Sequence, residues 1–223
     1  MTDSAIPPLD MTLDELRAAL GPLLPQEAAF DGWSEAALSA AAMALGVPPE
    51  RARLAIPGGA IDMIEAWFAS VDAEMVVVLP SERLAAMKIR ERITAIVLAR
   101  LEIATPHREA LRRAIAILAL PTNVPTATRL GWHAADAMWR LAGDTATGFA
   151  HYTKRATLGA VYLSTILVFL DDESEGFADT RAFLDRRIAG VMRFEKLKAQ
   201  LKPDPDRHFS PARFLGRLRY RTR

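Results

Sequence analysis

The 223-residue chain contains no cysteine. Disulfides, thiolate nucleophiles, cysteine zinc sites and iron–sulfur clusters are therefore excluded together, and the composition fits a reducing compartment. Aromatic residues are scarce, at 7%. A core must then be built from aliphatic and alanine side chains, which suits helices better than sheets. There is no Walker loop, no Gly-x-Gly-x-x-Gly and no Gly-x-Ser-x-Gly, so phosphate cradles and nucleophile elbows are missing. None of His107, His133, His151 and His208 has a Glu or His three or four residues away, the spacing with which helices aim di-iron ligands into one core. No cofactor and no metal are expected, and these absences point away from an enzyme. The N-terminus Met1-Thr2-Asp3-Ser4 lacks the basic and apolar regions of a secretory leader and the arginines of a transit peptide. The charge-free run between Arg155 and Asp171 falls short of the ~20 residues a membrane span needs. It reads as a buried helix, and the protein as soluble or peripheral.

What is present is an uneven distribution of charge. Residues 1–79 carry 12 acidic side chains and only Arg17, Arg51 and Arg53; residues 80–180 are nearly balanced; residues 181–223 carry 13 basic and 4 acidic side chains. The two ends should face different partners. Half of the residues, 51%, are hydrophobic, enough for a packed core.

Prolines and glycines cut the chain into helix-length pieces. Thr12-Leu13-Asp14-Glu15 resembles a capping box opening a helix to about Leu20. Ser34 caps a helix ending at Gly46, and Pro48-Pro49-Glu50 starts a short one. Longer helices are predicted over about 60–78, 81–103, 106–120, 126–141, 147–170 and 176–201. Met75-Val76-Val77-Val78-Leu79 is β-branched but ends a helical pattern and has no strand partner. The reading is an all-α protein with three parts: a helix-turn-helix-like region 1–58, a helical domain 59–201, and a linker with a basic tail 202–223.

Residues 34–57 have the outline of a helix-turn-helix. DNA readers need a basic footprint, because phosphate neutralisation supplies most non-specific affinity. This region is strongly acidic, so the shape comes without DNA-binding chemistry, and no nucleic-acid partner is expected. In the middle of the chain, Ala114–Leu120 is apolar all round, as is much of 157–170, which predicts buried helices. Small residues there allow either close helix packing or an elongated apolar pocket. The pocket would be lined by Leu118, Ala135, Met138, Phe149, Tyr162, Ile166 and Phe169. Two segments flank one loop: Met138-Trp139-Arg140, and His151-Tyr152-Thr153-Lys154-Arg155. They read either as interface anchors or as core plus a solvated face. Asp171-Asp172-Glu173 reads as a solvated helix end.

After Pro203 and Pro205, residues 207–223 hold six arginines and no acid. On a helix, Phe214, Leu215 and Leu218 share one side, and Arg213, Arg217 and Arg219 lie opposite. Such a helix suits an anionic membrane surface; docking on the acidic N-terminal region and a disordered end are the alternatives.

Several short motifs occur in a fixed order: Leu120-Pro121-Thr122-Asn123-Val124-Pro125, Ala137-Met138-Trp139, Ala142-Gly143-Asp144, Tyr152-Thr153-Lys154-Arg155-Ala156 and Tyr162. In this set the chain resembles the Coq-nine family of ubiquinone biosynthesis accessory proteins, loosely over about 30–200 and closely over 118–171. The resemblance implies a fold like TetR-type regulators, with a degenerate helix-turn-helix, a lipid-binding cavity and an amphipathic terminal helix. It implies no catalysis, but support of the demethoxyubiquinone hydroxylase by lifting an isoprenoid quinone from the membrane and presenting it. By position, Met138, Trp139, Tyr152, Lys154 and Arg155 match the family's patch for that hydroxylase, with His151 and Gly148 standing where members often have an aromatic and an acid. The chain starts almost at the domain, without a mitochondrial presequence, which suggests a bacterial protein, cytoplasmic and peripheral to the inner membrane. The fold type admits a homodimer, and a TetR-type transcriptional regulator with a lipophilic effector is the alternative reading.

Overall fold

The computed structural model describes residues 7–201, with side chains up to Phe194. The predicted tail helix, with Arg213, Phe214, Leu215, Arg217, Leu218 and Arg219, lies outside the described residues. The chain forms two compact units, the first ending at Asp185 and the second beginning at Arg186. No strand occurs among the described residues.

The order is α1 (Leu13–Leu20), α2 (Leu24–Asp31), α3 (Glu35–Leu45), α4 (Pro49–Ala55), α5 (Gly59–Val78), α6 (Ser81–Ala85), α7 (Ile89–Ala104), α8 (Arg108–Leu118), α9 (Val124–Leu141), α10 (Gly148–Asp171) and α11 (Ala178–Leu201). The ends form where the sequence places them. The Thr12 hydroxyl accepts from the Glu15 N–H while the Glu15 carboxylate accepts from the Thr12 N–H, closing the predicted capping box. Ser34 caps α3. Gly46 ends that helix at φ 78°, and the next N–H, of Val47, returns to the Ala42 carbonyl. This left-handed stop costs glycine nothing and sets the turn into α4.

α1 packs against α4 and α5. The approach is close: a Cβ on Gly21 would sit 2.7 Å from the Ala66 carbonyl oxygen. Arg17 locks the contact by pairing with Asp62 at 2.5 Å and donating to the Asp62 carbonyl. Trp33 stacks on Trp67 of α5 at 5.5 Å and donates its indole N–H to the Ala110 carbonyl. The N-terminal helices are thereby fixed to the bundle of α5, α7, α8, α9 and α10. Within that bundle α5 buries Ile64, Trp67, Val71 and Met75, and α7 buries Ile93, Val97, Leu101 and Ala104, each a stripe at helical spacing. No single described helix is long and apolar enough to cross a membrane; α4 and α5 pass that test only together and are bent by 78°.

Four expectations are corrected. The helix expected over 81–103 breaks at Ala86–Lys88. No proline or glycine marks the break; Lys88 is extended, Glu91 accepts from its N–H, and Arg92 donates to the carbonyls of Met87 and Ala142. The apolar run Ala114–Leu120 is not buried all round: Ala116, Ala119 and Leu120 are exposed. The Arg155–Asp171 run is not fully buried either, since Leu163 and Leu167 are half exposed. Both runs border an open hollow rather than a filled core. Asp172 is not a solvated helix end. It is buried, and its carboxylate accepts from the N–H and hydroxyl of Ser174 and of Thr180 at 2.5–2.8 Å. Burial alone would raise its pKa, but these bonds outweigh that and hold it well below the usual carboxylate range.

Two arginines of α8 secure the end of α10 nearby. Arg108 donates to the carbonyls of Phe169, Leu170 and Asp172, and Arg112 pairs with Asp171 at 2.9 Å. Cations at a helix C-terminus also meet its dipole favourably. Phe177, at φ 55°, is held in this backbone conformation with its ring 5.0 Å from Phe169.

The Asp172 shell predicts a pH-dependent cost. Asp172→Asn should destabilise the fold by about 2 kcal/mol at pH 7, from weakened charge-assisted hydrogen bonds. A depressed folded pKa gives stability that is complete above the unfolded carboxylate pKa of ~4 and is lost as pH falls below it. Urea unfolding should therefore show a gap between wild type and variant at pH 7 that narrows at pH 3.

Candidate functional site

The helices of the bundle enclose an apolar hollow of about 620 Å³, within the ~300–1,000 Å³ of small-molecule sites. α5 supplies Trp67, Phe68 and Val71; α7 supplies Arg100 and Ala104; α8 supplies Leu111, Ile115 and Leu118. α9 and α10 complete it with Leu130, Trp132, Ala134, Tyr162 and Ile166. Ala119, Val124, Gly131, Ala160 and Leu163 both line it and are exposed. They form an open lip between α8, α9 and α10. α9 and α10 pack closely further in, where the ideal Cβ position of Gly159 lies 3.9 Å from the Ala135 Cβ.

Three of the seven residues expected around a pocket, Leu118, Tyr162 and Ile166, line this one. The other four do not. Ala135 and Met138 are fully buried in helix contacts, and Phe169 packs on Phe177 and beneath the Arg108 guanidinium. Phe149, in the first turn of α10, is 80% exposed. Sequence reading missed the α5 and α7 wall. A signal for it existed: Arg100 sits on the apolar stripe of α7, where a charge marks something other than plain core.

Two arginines line the hollow. Arg155 is 3% exposed. Its guanidinium pairs with Asp136 at 2.6 Å and Asp144 at 3.3 Å, and donates to the His151 carbonyl. Burial would raise the pKa of Asp144, but Lys154, the Ala146 N–H and Arg155 together keep it below the ordinary range. Arg100 is 2% exposed and pairs with Asp72 of α5, its Cζ 5.2 Å from the Tyr162 ring centroid.

The second group of expected residues divides. Met138 and Arg155 are buried, so neither presents a surface: the apolar side of α9 faces inward, and two carboxylates draw Arg155 in. The remaining three stay at least partly exposed, as a Trp139–Lys154 pair and at Tyr152. The Trp139 indole N–H donates to the Lys154 carbonyl at 3.0 Å, and the Lys154 ammonium lies 5.1 Å from the Trp139 ring while pairing with Asp144. Tyr152 is 62% exposed and packs against His151 and Trp132. Trp132 also lines the hollow, so this aromatic surface continues into the lip.

A helix-turn-helix-like module on a hollow helical bundle is the architecture of TetR-type regulators. The crystal structure of a TetR transcriptional regulator from Nitrosomonas europaea superposes with a TM-score of 0.63 at 24% identity, covering 81% of this chain and 99% of that one. The fold is TetR-like. The sequence comparisons are narrower in meaning. The COQ9 family model matches residues 124–195. The mitochondrial ubiquinone biosynthesis protein COQ9 of Rattus norvegicus is 33% identical over 178 residues, 77% of this chain and 57% of that protein. The Homo sapiens COQ9 is 41% identical over 103 residues, 46% and 32% of the two chains, and that of Drosophila melanogaster 27% over 192, 84% and 59%. The chain is similar to the COQ9 proteins over these ranges, and residues 124–195 match their family model; it covers between 32% and 59% of the length of these curated relatives.

The burial of Arg155 separates its role from that of Tyr152. Arg155→Met should cost about 3 kcal/mol, the low end for breaking a buried ion pair because Lys154 and Arg140 still face the two carboxylates. Tyr152→Ala should change stability by less than ~0.5 kcal/mol. Denaturant unfolding of the two variants checks both.

Proposed function

We propose that this chain is a non-enzymatic accessory protein of ubiquinone biosynthesis. It holds a prenylated quinone intermediate in the hollow and presents it to the demethoxyubiquinone hydroxylase at a membrane surface. The observation that carries this reading is the apolar hollow with its exposed apolar lip. Each CH₂ moved from water into such a site contributes ~0.8 kcal/mol, so a long isoprenoid could be held without a dense polar site. The names of the relatives point to the same pathway.

Other features fit a carrier at a membrane. Tyr152 packs on Trp132, which lines the hollow, so a hydroxylase docked on Tyr152 would meet cargo leaving the hollow, with Trp139 and Lys154 as further candidate contacts. The basic, amphipathic sequence of 207–223 suits an anionic lipid surface. A DNA-reading role is disfavoured by charge. All three basic side chains of residues 1–79 are engaged: Arg17 with Asp62, Arg51 with the carbonyls of Leu9 and Met11, Arg53 with Glu35.

Two experiments test the reading. Lipids extracted from the purified protein should contain prenylated quinones by mass spectrometry, and Ala160→Trp, which fills the lip, should strip them while the helical fold persists. Equal quinone content in both proteins, or none in either, rejects the cargo role. Replacing Tyr152 by Ala removes a candidate anchor worth ~2 kcal/mol, so hydroxylase affinity should fall about thirtyfold. Undiminished affinity moves the docking surface elsewhere.

A further inference from the structure

The hollow is not uniformly greasy, and its two arginines differ. Arg155 is occupied by Asp136, Asp144 and the His151 carbonyl. Arg100 is not so provided for. Its Nη1 donates to Asp72, yet its Nε is buried and has no hydrogen-bond partner. A buried N–H without an acceptor is unfavourable; Arg100 also lines the hollow, so a small turn of its side chain brings this N–H to an acceptor on a guest there. The surroundings favour that use. Trp67, Phe68, Val71 and Ala104 line the hollow on α5 and α7, and the Tyr162 ring lies against the guanidinium. The exposed apolar lip is formed by other helices, α8, α9 and α10.

We infer that Arg100 is the head-group receptor of the hollow: it takes an uncharged hydrogen-bond acceptor, the carbonyl or ether oxygen of a ring-shaped head, while the apolar tail of the same molecule runs out along the lip. Asp72 balances the guanidinium charge, which selects a neutral polar head over a free carboxylate or phosphate. Tyr162 offers its ring as a flat surface beside the guanidinium. The inference rests on the lipid-carrier reading and adds to it the orientation of the cargo, head inward and tail outward, and a specificity-determining residue.

The test uses two probes of similar length on the full chain: a decyl-substituted dimethoxybenzoquinone, and decylbenzene, which lacks acceptor oxygens. Calorimetry should show the quinone binding wild type at least about tenfold more tightly than decylbenzene, the scale of one hydrogen bond to a charged donor. In Arg100→Met the ratio of the two affinities should fall to about one, even where loss of the Asp72 pair weakens both. Because the variant leaves Asp72 unpaired, a measurement on the unaltered protein runs beside it: the ¹⁵N-arginine spectrum. The Arg100 Nε–H signal should move on adding the quinone and stay in place with decylbenzene. An unmoved Nε–H with the quinone bound, or a quinone preference surviving in Arg100→Met, overturns the head-group assignment and leaves the carrier reading intact. Failure of both probes to bind wild type overturns the carrier reading itself, and with it this assignment.

Discussion

A hollow inside a helix bundle is unstable unless its walls are held apart, because close packing would regain the dispersion contacts that a void forgoes. Here the restraint is provided by arginines. Arg108 and Arg112 of α8 hold the C-terminal end of α10 by its carbonyls. Arg155 fixes the N-terminal part of α10 to Asp136 of α9 and to Asp144 in the following loop. Arg100 ties α7 to Asp72 of α5. These contacts have definite lengths, unlike apolar packing, so they set helix spacings that the small side chains between the helices do not fill.

The same clamps relate the hollow to the outer surface. Arg155 lines the cavity and organises Asp144, which in turn receives Lys154, and Lys154 lies over Trp139. A side chain matched by motif to a contact surface is thus a support beneath it. Trp132 joins the two places directly, with one side in the hollow and the other against Tyr152. Cargo and partner would be read within one continuous group of residues.

The N-terminal module shows how shape and chemistry separate. Ser34, Gly46 and the Pro48-Pro49 start reproduce the outline of a helix-turn-helix. Its few basic side chains are spent on internal carbonyls and carboxylates. The module also has a mechanical tie: Trp33 on Trp67 and Gly21 against Ala66 attach it to α5, the helix whose other residues line the hollow.

The helical class, most helix ends and the acidic character of the N-terminal module are written in the chain itself. Caps, left-handed glycines, apolar spacing and net charge are local or additive properties, readable one residue after another. Three pocket residues were legible in the same way, since Leu118, Tyr162 and Ile166 stand on apolar stripes. Which side of each stripe meets a neighbour and which meets empty space depends on how the helices pack. Phe149 and Met138 look alike in sequence; one is at the surface and one is enclosed, because α10 begins beyond the bundle while α9 lies within it. The break at Ala86–Lys88, the buried Asp172 and the placing of Arg100 and Arg155 depend on partners distant in the chain. An arginine's sequence neighbours do not reveal which carboxylate will reach it, and that meeting is what keeps the interior open.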